Sequence, residues 1–196
     1  MRLLAIASLL ACSLGAQQDV EKGKILGSPA APIRIDVYSD FACPACKNFH
    51  EQTLPQIEAD YVRPGKAYIV NREFPLNIPA HKYSREAAAY AVAAGRLGIY
   101  QPVADALFRD QPGWSVSGKV WETVASVLSP EQQKKVQTIM KDPTVAAMVQ
   151  KDYDSGMKER VSSTPTIVIS RGTQKYPIPY PVNYSLLQSL LNGLLK

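Results

Sequence analysis

Two of the chain's three cysteines, Cys43 and Cys46, stand with only Pro44 and Ala45 between them. Where a strand turns into a helix, this spacing brings two sulfurs within bonding range, and the positive end of the helix dipole favours the thiolate of the first. The chemistry such a pair can do is thiol–disulfide exchange. Two blander uses compete with it. A structural staple is not needed by a chain this long, which can bury a sufficient apolar core. A tetrahedral zinc site wants four ligands, and beyond the cysteines only His50 and His81 remain. His50 lies about two turns further along the expected helix and reads as a packing or surface residue. His81 opens an alanine-rich segment and has no catalytic role assigned to it.

The elements that must hold the pair can be read on either side of it. Residues 33–38, Ile-Arg-Ile-Asp-Val-Tyr, alternate and are rich in β-branched and aromatic types, which predicts a strand with Ile33, Ile35 and Val37 on one face. Cys43 then falls at the N-cap of a helix and Pro44 at its first position, where the missing N–H costs nothing. Phe49, Leu54, Ile57 and Tyr61 continue one apolar face to about residue 62, with a kink expected at Pro55. A second strand over residues 66–74 completes a β-α-β unit, and its short connections imply parallel pairing.

The pattern turns helical over residues 81–160. Candidate helices cover 87–94, 103–108, 120–128, 130–140 and 145–158, separated by Pro112-Gly113, Ser129-Pro130 and Asp142-Pro143. Trp114 and Trp121 read as packing residues of this block. Sheet returns at residues 166–170 and, after the turn Arg171-Gly172-Thr173, at 175–178. There Pro177, Pro179 and Pro181 confine the strand to an edge. A closing helix over residues 184–195 carries Leu186, Leu187, Leu190, Leu191 and Leu194 as an apolar stripe.

The first residues carry a different message. Met1-Arg2, the apolar run 3–14 and the small pair Gly15-Ala16 predict a secretory signal peptide over residues 1–16, too short to span a bilayer. A polar, glycine-containing linker over 17–28 follows. Leu9-Leu10-Ala11-Cys12 resembles a lipobox, so Cys12 is either removed with the leader or becomes a lipid anchor, and the reading favours plain secretion. Either route leaves Cys43 and Cys46 as a pair in an oxidising compartment. The composition, 46% hydrophobic and 20% charged with a formal net charge of +5, is that of a globular domain. Lys134-Lys135 is the lone adjacent basic pair, so no basic stripe marks a nucleic-acid surface.

The order strand, CxxC helix, strand, helical block, Thr-Pro, strand, strand, helix resembles the DsbA family of exported thiol oxidoreductases. The pieces that carry the resemblance are Gly27-Ser28-Pro29 with Ala31-Pro32, Ser39-Asp40-Phe41, Arg72-Glu73-Phe74-Pro75-Leu76 and Ser163-Thr164-Pro165-Thr166. It implies an α/β thioredoxin-like fold in two parts, residues 29–80 and 161–196, with a helical insertion over 81–160. It implies a redox-active Cys43–Cys46 disulfide, Cys43 as the exposed nucleophile and Cys46 as the resolving thiol. By the same resemblance Pro165 is a cis-proline beside the cysteines, and the backbone of Thr164 pairs with an extended substrate segment. The implied partners are unfolded or reduced exported proteins and a membrane quinone-linked protein that restores the disulfide, with no metal or cofactor needed, in the periplasm or outside the cell; the short lead-in between leader and fold, which offers no obvious dimerisation domain, reads as that of a monomer. A disulfide reductase or isomerase of the same fold is the second reading, and a non-catalytic binding or metal-delivery module the third. Two departures bear on oxidising strength. The buried acid that the family often has six residues before the first cysteine is Val37 here, with Asp36 expected on the opposite face. The dipeptide between the cysteines is Pro-Ala, which has no imidazole.

Overall fold

A computed structural model describes residues 23–196; the leader, most of the linker and Cys12 lie outside the described residues. The fold is built around β2 (Ile33–Ser39), the middle strand of a five-stranded sheet ordered β1-β3-β2-β4-β5. β2 and β3 (Ala67–Glu73) are parallel, with Ile35 opposite Ile69 and Ser39 opposite Glu73. The helix joining them, α1, spans residues 44–62 and makes the crossover that parallel pairing requires. β4 (Thr166–Arg171) runs antiparallel to the other side of β2, and β5 (Gln174–Pro179) forms the edge beyond it. Pro177 and Pro179 sit on that edge strand, where a missing N–H breaks no central ladder.

The alternation read in β2 decides how the sheet is covered. Ile33, Ile35 and Val37 face Phe49, Leu54, Ile57 and Tyr61 of α1, together with Leu187, Leu191 and Leu194 of the closing helix α8 (Tyr184–Leu194). Leu186, expected in the apolar stripe of that helix, points away and is exposed. On the opposite face Tyr38 packs with Phe74, Val161 and Val168 beneath α7 (Pro143–Lys158). A Cβ on Gly156 of α7 would lie 2.6 Å from the Phe74 ring, so only a glycine permits this approach of helix to sheet.

Between β3 and β4, α2 (Ser84–Gly95), α3 (Tyr100–Arg109), α4 (Gln111–Ser117), α5 (Val120–Ala125), α6 (Pro130–Ile139) and α7 form the helical block. Ala87, Ala91, Leu107, Trp114, Val124 and Val149 share its core. Trp114 is buried and donates from Nε1 to the Leu107 carbonyl at 2.7 Å, and Trp121 lies against Tyr90, so both tryptophans pack as expected. Phe41, Ala42, Cys43 and Cys46 belong to this same core. The redox pair therefore sits at the seam between sheet and insertion.

Two expectations change, and the structure shows how α1 accommodates its proline. Pro112-Gly113 does not separate helices but lies in the first turn of α4, where proline needs no N–H partner. α1 takes up Pro55 through wide turns: its α-helical pieces Pro44–Asn48 and Leu54–Ile57 alternate with π-helical Phe49–Thr53 and Glu58–Val62. The wide turn just before Pro55 gives its ring room that a regular α turn would deny. Finally, the stretch expected as linker up to residue 28 contains a short strand, β1 (Ile25–Leu26), antiparallel to β3. Beside it Lys24 is buried, with its ammonium on Asp152 of α7 and 3.7 Å from Glu73. Two residues are too few to show a period, and the charge of a buried lysine reads as solvent exposure until its partners are known.

Candidate redox site

Cys43 occupies the N-cap of α1 with φ −80° and ψ 118°. Both cysteines are free thiols in this structure. Cys46, one turn in, is completely buried, and Cys43 is 7% exposed. The first thiol is thus less open than the resemblance implied. The Thr164-Pro165 segment lies over it, and the Cys43 Sγ–H donates to the Thr164 carbonyl at 3.3 Å. The Thr164-Pro165 peptide is cis, as the resemblance implied. So is Tyr180-Pro181, which was not foreseen.

The environment splits the two thiols. A hydrogen bond from the Cys46 thiol, helped by Thr164 and by the backbone N–H groups of Cys46 and Ala45, pulls the Cys43 thiol down to about 6, against the opposing effect of burial. Burial pushes the Cys46 thiol well up, and its bond to the Cys43 sulfur and the charge there push the same way. The pair therefore holds one proton firmly at Cys46 and one negative charge at Cys43 near neutral pH. The Cys46 thiol first, then Thr164 and the N–H groups of the first helical turn, supply this without an imidazole between the cysteines.

Val37 lies in the sheet core with Ile33 and Ile35, and no acid stands in its place. Asp36 faces the other side, where Arg34 reaches it at 2.6 Å and Arg72 at 2.9 Å. It is committed to an ion network that continues through Arg72 to Asp152 at 2.8 Å. His50 packs on Phe108 with 4.5 Å between centroids and pairs with Asp105 at 2.8 Å, a packing role as expected.

Residues distant in sequence complete the site. Gln111 at the start of α4 is buried and donates from Nε2 to the carbonyls of Phe41, at 2.5 Å, and Cys43, at 3.0 Å. Asp40 accepts the Cys43 N–H at 3.0 Å through its carbonyl, and its own N–H points to Cys46 Sγ at 3.5 Å. His81 Nδ1 lies 2.7 Å from the Asp40 carboxylate. Glu73, at the end of β3, is buried; desolvation raises its carboxyl to about 7, against the pull of Lys24, and the Tyr100 hydroxyl donates to it at 2.7 Å. Apart from the main-chain contacts of Asp40, three residues before Cys43, these contacts join segments far apart in the chain, so they are not legible as a spacing. Only the Ser39-Asp40-Phe41 signature hinted that Asp40 matters. Among the described residues no cluster of three or more ligating side chains could hold a metal.

The family model described as thioredoxin matches residues 19–181. Disulfide bond formation protein D of Bacillus subtilis (strain 168) is 26% identical over 165 residues, which are 81% of this chain and 72% of that protein. The crystal structure of oxidised BdbD from Bacillus subtilis superposes with a TM-score of 0.73 at 23% identity, covering 89% of this chain and 94% of the other. That of α-DsbA1 from Wolbachia pipientis gives 0.71 at 19%, with 88% and 90% covered. The family model covers most of the chain and the two superpositions cover nearly nine-tenths of it, so the chain belongs to the thioredoxin family, in the DsbA-like form of the fold.

Proposed function

We propose that this protein is an exported thiol:disulfide oxidoreductase that introduces disulfides into other exported proteins through Cys43 and Cys46. The observation that carries the reading is the divided pair: Cys43 held as a thiolate near neutral pH and Cys46 held as a thiol behind it. A low Cys43 pKa stabilises the reduced protein, so the disulfide is readily given up to a substrate.

In the forward direction a substrate thiolate attacks Cys43 Sγ of the Cys43–Cys46 disulfide. The bond between the cysteines breaks, and its electron pair leaves on Cys46, whose buried sulfur takes up a proton. A second substrate thiolate attacks the substrate sulfur of the mixed disulfide, and Cys43 leaves as a thiolate. The substrate has lost two electrons to form its disulfide, and the enzyme dithiol has gained them. In this reading the backbone of Thr164, whose carbonyl accepts from the Cys43 thiol, pairs with an extended substrate segment, and Gln111 holds the carbonyls of the reactive loop in place. The enzyme is then returned to the disulfide by a membrane quinone-linked partner. The leader-like residues 1–16 and the relatives' names support action outside the cytosol, and Cys12 decides between release and a lipid anchor.

The test is complementation of a strain that lacks its disulfide oxidase, with the reduction potential of the purified protein measured against glutathione. Wild type restores disulfides in exported proteins and Cys43→Ser does not. A potential as reducing as that of cytosolic thioredoxin, about −270 mV, would overturn the oxidase direction.

A further inference from the structure

Asp40 takes no part in the exchange steps, yet its main chain touches both cysteines, at the Cys43 N–H and the Cys46 sulfur. Its side chain is wholly buried, and donors from three segments converge on its two oxygens. Oδ1 accepts the Ala42 N–H at 2.7 Å and the Ser84 hydroxyl; Oδ2 accepts the Leu76 N–H at 2.8 Å and His81 Nδ1 at 2.7 Å. The Ala42 bond closes an Asx turn within the cysteine loop itself. Leu76 belongs to the segment leaving β3, and His81 and Ser84 to the entry of the insertion. A carboxylate can only accept, so the imidazole donates from Nδ1, which sets its tautomer.

We propose that His81 is a positioning residue of the redox centre: by donating to Asp40 it keeps the Asp40 N–H on the Cys46 sulfur and the Asp40 carbonyl on the Cys43 amide. The inference rests on the oxidoreductase reading above. When the disulfide opens, the electron pair leaves on Cys46, and the Asp40 N–H is the backbone donor that meets it. Removing the imidazole leaves a carboxylate oxygen short of a donor in a buried site, and the loop must shift to satisfy it. The same loss leaves the carboxylate's charge less shielded beside two sulfurs that must carry charge during exchange. Both effects disfavour the thiolate-bearing reduced form.

The experiment compares wild type, His81→Leu and His81→Asn, whose side-chain amide can donate to the same oxygen, with Ser84→Ala as a less bulky deletion at the other oxygen. The readouts are the thiol–disulfide equilibrium constant with glutathione, from trapped free thiols, and the Cys43 thiolate absorbance titration. His81→Leu shifts the equilibrium constant toward the protein disulfide by about tenfold, the size expected for one charge-assisted bond, and raises the Cys43 titration. His81→Asn restores most of the shift, and Ser84→Ala moves both readouts in the same direction as His81→Leu, so the inference stays testable if His81→Leu does not fold. A lowered melting temperature with both readouts unchanged in His81→Leu, or in Ser84→Ala if the former does not fold, makes the contact merely structural and overturns the inference. Wild type that fails to exchange with glutathione at all overturns the oxidoreductase reading and this inference with it.

Discussion

Thr164→Val removes one hydroxyl and almost no volume from the wall beside the cysteines. Thr164 is 5% exposed, and its Oγ1 has no hydrogen-bond partner while both thiols are protonated. Its interaction nevertheless lowers the pKa of both sulfurs, so the hydroxyl comes into use when a thiolate forms. A hydrogen bond to a charged group contributes about 1.5–3 kcal/mol, and a pKa unit corresponds to about 1.4 kcal/mol, which allows a shift of about one to two units. The Cys46 thiol and the backbone N–H groups of Cys46 and Ala45 remain on the Cys43 sulfur, which favours the low end. The Cys43 titration, at about 6 in wild type, then moves up by about one unit. Absorbance of the thiolate near 240 nm, followed against pH in the reduced protein, reads this directly, because Cys46 titrates far higher. Stability separates the hydroxyl's two states. At pH 5, with both thiols protonated, the variant is as stable as wild type or slightly more so, because a buried unpaired hydroxyl has gone. At pH 8 the reduced variant is less stable by about 1 kcal/mol. An unchanged Cys43 titration in a folded Thr164→Val protein would refute the reasoning and leave the helix N-terminus and Cys46 as sufficient causes of the low value.

Three further outcomes follow from buried charge. The folded pKa of Cys43 is depressed, so its contribution to the reduced form is full above the ordinary thiol range and is lost as pH falls through about 6; denaturant melts of reduced minus oxidised protein should therefore grow by about 3 kcal/mol from pH 5 to pH 8.5 and fall again above it, where the raised Cys46 pKa favours the unfolded chain. Glu73 is displaced the opposite way, to about 7, so ionising it costs stability progressively above the ordinary carboxyl range; Glu73→Gln, which keeps an acceptor for Tyr100, should leave stability unchanged at pH 4 and raise it by up to about 3 kcal/mol at pH 8 in the same melts. Asp152 accepts from Lys24, from Arg72 and from the Glu73 N–H; Asp152→Ala strands buried positive charge and should cost about 3–5 kcal/mol, read as a fall in melting temperature of the oxidised protein.

The reactive pair, the strand before it and the helix start at Cys43 were legible in the sequence, because these depend on neighbours within a few residues. Cys43 at the N-cap, Pro44 in the first turn and the alternation of Ile33, Ile35 and Val37 are local facts, and the structure keeps them. The helical block was equally legible, since alanine-rich and capped segments carry their own periodicity, though Pro112-Gly113 read as a break where it opens a helix. Tertiary structure alone decided what surrounds the sulfurs. Lys24 read as linker and Glu73 as an ordinary strand end, yet each is buried opposite the other and against α7. Gln111 carried no pattern, and His81, though it resembles a family position at the start of the alanine-rich helix, had no partner in view, because the partners of both lie at Phe41, Cys43 and Asp40, across the seam where the insertion meets the sheet. A pKa depends on burial and on the few charges and donors within hydrogen-bond reach, and neither exists until distant segments meet. Hence the spacing of Cys43 and Cys46 announces a redox pair, while the division between them, one thiol near 6 and the other held protonated, belongs to the folded seam.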